Sequence, residues 1–199
     1  MKKINVKTMN EKSNNINQRL IEKINNVEKE YGKNFSNTQK ILLTTDGSIT
    51  AILDVLNGKI DLKTLEQHFK KATPEIAELL EIDDGDDVNY REVLMYKNDK
   101  PLISALSYIP LKRLHEDFKC DLIAADIPIG RILRKYNMES RREIKTIQVE
   151  KPDEKLKDIY KTDEDILTRT YTIIHDDEIL IWIKEFFPIS YFTEKDSIN

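Results

Sequence analysis

Residues 88–109 read VNYREVLMYK, then NDKP, then LISALSYI. Two runs rich in Val, Ile, Leu and Tyr flank the polar turn Asn98-Asp99-Lys100-Pro101, the signature of a β-hairpin. The pattern returns downstream, where 166–175 and 178–187 flank Asp176-Asp177. Between the hairpins, 143–150 reads as a further strand. Helices are expected at 111–118, at 121–126 and, behind Pro128, at 129–136, with a charged loop or short helix at 151–161. Upstream, Asp46-Gly47-Ser48 caps a helix from Ile49 to Leu56 that Asn57-Gly58 ends. Asp61 is expected to cap a second helix carrying Leu62, Leu65 and Phe69, and Pro74 opens a third through Leu80. Two hairpins and a lone strand, with helices before and between them and no βαβ alternation, indicate an α+β fold with an antiparallel sheet.

The chain has 199 residues, 39% apolar and 34% charged, enough apolar material for one real core. Its charges sum to −4, so no global basic field invites nucleic acid. A single cysteine, Cys120, excludes an internal disulfide and multi-cysteine metal sites, and is expected as a buried filler. The isolated His68, His115 and His175 lack metal-ligand spacing, and Asp83-Asp84-Gly85-Asp86-Asp87 fails the EF-hand pattern, so neither a metal nor a cofactor is expected. No apolar run is long enough to span a bilayer, and no apolar stretch follows the basic start of the chain. A cytoplasmic protein without membrane or nucleic-acid partners is the expectation.

Residues 1–40 carry nine Lys/Arg against four Asp/Glu, and 41–199 carry 23 against 32, so a basic helical extension precedes the main domain at 41–199. Within the extension Ile16, Leu20, Ile24, Val27 and Tyr31 recur at helical spacing, a face suited to packing or to oligomer formation.

Three features point to chemistry. In the last strand Ile179, Ile181, Ile183, Glu185 and Phe187 share one face, and a carboxyl in an apolar row is costly unless it is paired, protonated or at a pocket edge. Arg91 sits likewise with Asn89, Val93 and Met95, and a guanidinium needs a carboxylate or a ligand anion. An Arg91–Glu185 ion pair would be purely structural; the alternative is that each waits for one end of a ligand. Third, Ile127-Pro128-Ile129-Gly130-Arg131 reads as a helix start where Gly130 permits close approach.

Taken as a set, Tyr90-Arg91-Glu92-Val93-Leu94, Ser107-Tyr108-Ile109-Pro110, Pro128-Ile129-Gly130-Arg131, Ser140-Arg141-Arg142-Glu143-Ile144 and Lys184-Glu185-Phe186-Phe187-Pro188 resemble the motifs of the chorismate lyase (chorismate pyruvate-lyase) family, its archaeal-type members above all. The resemblance covers about residues 41–188. It implies a twisted antiparallel sheet with helices covering an internal ligand cavity, a fold shared with the UTRA-type sensor domains of transcription regulators. It implies elimination of pyruvate from chorismate to give 4-hydroxybenzoate, which feeds quinone-type or pterin-type cofactor synthesis. By position it places the ligand-binding arginine at Arg91, the carboxylate at Glu185, a ligand-holding amide at Ile129 beside Gly130, and a cavity-lining methionine at Ile49, where this chain departs from the family. Arg141 is either a partner of the pyruvyl carboxylate or a surface charge. The other function class is a non-catalytic small-carboxylate sensor; forty residues ahead of the domain are too few for the winged helix-turn-helix such sensors carry.

Overall fold

A computed structural model describes residues 6–124 and 126–193. The basic start at 1–5 lies outside them. Helices α1 (Val6–Tyr31), α2 (Asn37–Thr44) and α3 (Ile49–Asn57) lead into strand β1 (Asp61–Lys71) and helix α4 (Pro74–Leu80). Strands β2 (Asp87–Lys97) and β3 (Lys100–Pro110) follow, then a 3-10 turn (Leu111–Arg113) and helices α5 (Glu116–Ala124) and α6 (Ile129–Lys135). Strand β4 (Arg141–Glu150), helix α7 (Glu154–Tyr160) and strands β5 (Ile166–His175) and β6 (Glu178–Pro188) complete the order. The six strands form one antiparallel sheet ordered β1-β2-β3-β6-β5-β4.

Local chemistry sets these boundaries. Ser36 and Gln39 form a reciprocal capping box on α2, and Ser48, Thr73 and Asp153 each accept a backbone N–H at the starts of α3, α4 and α7. Both hairpins turn on two residues with positive φ, Asn98-Asp99 at 47° and 62° and Asp176-Asp177 at 50° and 63°. That geometry matches the twist of paired strands, and Asn and Asp tolerate it best after glycine.

Three expectations fail. In place of helices at 111–118 and 121–126 there are a 3-10 turn at Leu111–Arg113 and one helix, α5, at Glu116–Ala124. Residues 61–71 form strand β1, not a helix. Its edge position leaves most side chains at least partly exposed, and its register shifts between Thr64 and Glu66, so no period-two apolar signal survives in the sequence. Its ten-residue ladder to β2 outweighs helix propensity. Cys120 is exposed, because two residues along a helix from the buried Phe118 is a turn of about 200°.

One face of the sheet carries the larger part of the core. Leu42, Leu43, Ile49 and Leu53 from α2 and α3, with Ile24 and Val27 of α1, pack on Met95, Ile103, Ile147, Leu167 and Phe187. Beside them Phe118, Leu122, Ile132 and Leu133 of α5 and α6 cover Ile109, Tyr171, Ile173, Ile181 and Ile183. The opposite face is covered by α4, whose Ile76, Ala77 and Leu80 meet Val88, Ile179 and Trp182. Arg113 fastens that side by donating to the carbonyls of Leu80 (2.7 Å), Glu81 (2.8 Å) and Ile179 (2.6 Å), so one guanidinium closes the C-terminal end of α4. Among the described residues no helix is long and apolar enough to cross a membrane.

Candidate functional site

Three strand pairings bring distant parts of the chain onto one face of the sheet. Arg91 stands opposite Ser107, Ser107 opposite Ile183, and Ile183 opposite Tyr171. One pleat along, Val93 faces Ala105, Ala105 faces Glu185, and Glu185 faces Arg169. Arg91 and Glu185 are therefore two strands and two residues apart on the same face, about 12 Å between Cα atoms from sheet spacing. The start of α3 (Ser48, Ile49, Thr50) and the start of α6 (Pro128, Ile129, Gly130) close over this face, and Arg142 flanks it from β4. The enclosed free volume is about 60 Å³. Pockets for small ligands usually offer roughly 300–1,000 Å³, so this space is small for a ring as it stands.

Of the residues read from the sequence, Arg91, Glu185, Ile49, Ile129 and Gly130 all line this pocket. Arg141 does not. It points to the exposed side and pairs with Asp177 (3.2 Å) and Glu143 (3.3 Å). Strand alternation explains the exchange: if one of two neighbours faces out, the other faces in, and Arg142 takes the inward position. A methionine also lines the pocket, from β2 at Met95, with the Thr50 hydroxyl 3.8 Å from its sulfur.

Arg91 is 1% exposed. It donates to the Ile127 carbonyl (3.1 Å) and to Thr64 Oγ1 (3.4 Å), which ties β2 to β1 and to the segment entering α6. Burial pulls its pKa down to about 10, against the opposing pull of Asp126, so it stays charged at neutral pH. Asp126 in turn accepts the Thr64 amide at 2.8 Å, and the bonds from Thr64 hold its carboxyl below the usual range.

Glu185 is not paired with Arg91. Arg169 Nε donates to Glu185 Oε2 at 2.7 Å and Tyr171 Oη donates to Oε1 at 2.9 Å, so both oxygens carry a donor. The Arg169 guanidinium also donates to the Thr45 carbonyl (2.9 Å) and lies 4.8 Å from the Tyr171 ring centroid. Its Nη2 is buried and has no hydrogen-bond partner among the described residues. Burial, then the neighbouring Glu185, pushes the Tyr171 hydroxyl pKa far up, so it remains a donor. The sequence reading missed Arg169 and Tyr171. The signal was present: Leu167, Arg169, Tyr171 and Ile173 alternate in one row, and an arginine among apolar neighbours is the pattern that singles out Arg91.

Gly130 sits where backbone comes close to its neighbours. A Cβ there would stand 3.0 Å from Ser48 Oγ and 3.9 Å from an Arg142 nitrogen. The junction of α3, α6 and β4 thus meets at a residue without a side chain.

Comparison with known proteins bears on this geometry. The family model described as "Chorismate pyruvate-lyase Rv2949c-like" matches residues 43–194. A protein of Methanocaldococcus jannaschii named "Putative lyase MJ0807" is 41% identical over 160 residues, covering 77% of this chain and 79% of that one. Among solved structures, PhnF from Mycobacterium smegmatis superposes with a TM-score of 0.63 at 14% identity, over 72% of this chain and 64% of that one. The C-terminal domain of the histidine utilization repressor from Pseudomonas syringae pv. tomato gives 0.53 at 13% identity, over 65% and 91%. At such identities these likenesses speak for a common fold.

Proposed function

We infer the function from one premise: the chain belongs to the Rv2949c-like chorismate pyruvate-lyase family. The substrate it takes is chorismate, and the products are 4-hydroxybenzoate and pyruvate. The observation that carries this reading is the lining of one pocket by Arg91 and Glu185 from separate strands, unpaired with each other.

The reaction asks little of a protein in the way of reactive groups. The C3–O ether bond breaks, the ring loses the hydrogen at C4, and enolpyruvate leaves and tautomerises to pyruvate. Aromatisation of the ring provides the driving force. The protein must hold the dianion, exclude water and steer charge. Arg91 offers a buried, always-charged fork to the ring carboxylate, and the backbone at Ile129 and Gly130 adds amides to the same carboxylate. Glu185 sits toward the other end and accepts the hydrogen bond of the ring hydroxyl on lone pairs that Arg169 and Tyr171 leave open. Ile49, Val93, Met95, Ile173 and Ile183 supply apolar walls for the ring.

Incubating the purified protein with chorismate tests the reading. Pyruvate is followed by a coupled NADH-consuming reaction and 4-hydroxybenzoate by absorbance. Equimolar appearance of both supports the lyase, and tight binding of 4-hydroxybenzoate with no turnover identifies a non-catalytic carboxylate sensor instead.

A further inference from the structure

We infer that the cleft between edge strand β1 and helix α5 is a second ligand site, one that takes an uncharged flat ring bearing a carboxamide. The cleft offers about 310 Å³, against about 60 Å³ for the Arg91 pocket, and the two linings share no residue. That volume falls within the usual range for small ligands, roughly 300–1,000 Å³. The inference does not depend on what the Arg91 pocket binds.

Asn89 carries it. This residue of β2 lines the cleft and is 0% exposed, and neither its amide nitrogen nor its amide oxygen has a hydrogen-bond partner among the described residues. Leaving a buried carboxamide unpaired costs stability, and an apolar side chain of similar size would not incur that cost. A ligand carboxamide presents an N–H and a C=O side by side, and so satisfies both Asn89 atoms at once.

The walls choose the rest of the ligand. Phe69 stands directly opposite Asn89 in the β1–β2 ladder, so both side chains leave the same face of the sheet, about 5 Å apart at Cβ. Phe69 is 53% exposed and Ile123, on α5, is 51% exposed, two large apolar surfaces bared to water around a polar floor. A half-exposed ring on an edge strand turns aside readily, which uncovers the Asn89 amide and lets a flat ring pack between Phe69 and Ile123. Gln67 Nε2 donates to the Leu122 carbonyl at 3.2 Å and ties β1 to α5. Asp126, also in the lining, accepts the Thr64 amide at 2.8 Å and keeps its carboxylate charge, which turns anions away. The ligand is therefore uncharged, unlike one drawn to the Arg91 guanidinium.

NMR titration with benzamide tests this, with N,N-dimethylbenzamide, which lacks the N–H donors, as its counterpart. Benzamide is expected to bind with a dissociation constant of about 1 mM, at least about tenfold tighter than the dimethyl compound, and to shift the signals of Phe69, Asn89 and Ile123. Asn89→Leu is expected to remove that preference. Ile123→Ser, a change at an exposed helix position, is expected to weaken benzamide several-fold with the fold intact. Absence of saturable binding, equal affinities for the two compounds, or shifts confined to Ile49, Ile173 and their neighbours in the Arg91 pocket would overturn the inference. So would an Asn89→Leu protein that still prefers benzamide. Where Asn89→Leu does not fold, Ile123→Ser and the comparison of the two compounds decide alone.

Discussion

Substituting both members of the Arg169–Glu185 pair, singly and together, gives the sharpest test of how the site is held. The pair is buried, with side chains 0% and 4% exposed and a contact of 2.7 Å. Charges about 4 Å apart at an effective dielectric near 20 attract by about 4 kcal/mol. Removing one partner leaves the other desolvated and uncompensated, which costs roughly 3–5 kcal/mol. Against a total stability of about 5–15 kcal/mol that is a large share, and in a chain of this size it lowers the melting temperature by roughly 10 °C. Arg169→Met and Glu185→Gln are each expected to show this loss in urea unfolding, at unchanged slope. The double variant is expected to be less destabilised than the sum of the two, with a coupling of about 3 kcal/mol. Additive losses, or an Arg169→Met protein as stable as the parent, would show that Glu185 is not held by Arg169.

Other outcomes follow from the same contacts. Arg113→Ala leaves three carbonyls around α4 without their donor and is expected to cost about 2–3 kcal/mol by urea denaturation; no loss would mean water replaces the guanidinium fully. Gly130→Ala pushes a methyl to within 3.0 Å of Ser48 Oγ, in a backbone conformation open to alanine, so 4-hydroxybenzoate affinity is expected to fall several-fold by calorimetry with little change in unfolding midpoint. Stability is expected to fall in acid. Asp126, held by Thr64, Asp121, held by Lys135 and Tyr136, and Glu143, held by Lys145 and Arg141, have folded pKa values below their ordinary 3.8, 3.8 and 4.5. Their contribution is present above those ordinary values and lost as pH drops through the folded ones, so melting temperature is flat near neutrality and declines below about pH 4. A melting temperature constant down to pH 2 would contradict it.

The strands were legible where both pattern and turn chemistry agreed. Asp176-Asp177 and Asn98-Asp99 mark their hairpins because few residues accept left-handed φ at two successive positions. Strand β1 was not legible, since an edge strand exposes most of its side chains and a register shift breaks what alternation remains. At the site, Arg91 and Glu185 stood out because a charge interrupts an apolar row, which sequence alone displays. Which charge faces which is a property of strand order. With β6 between β3 and β5, Glu185 lies beside Arg169, and the candidate pair with Arg91 gives way to a nearer one. The choice between Arg141 and Arg142 likewise turns on a single residue of strand phase, finer than a sequence boundary can be read.

In the proposed reaction Arg91 and Glu185 hold opposite ends of one small ring. A crystal structure of the protein with 4-hydroxybenzoate measures it directly. The ligand carboxylate is expected on the Arg91 guanidinium beside Ile129 and Gly130, with its hydroxyl turned toward Glu185 and α3 and α6 moved outward to make room. A ligand bound elsewhere, or held with neither Arg91 nor Glu185 in contact, would contradict it.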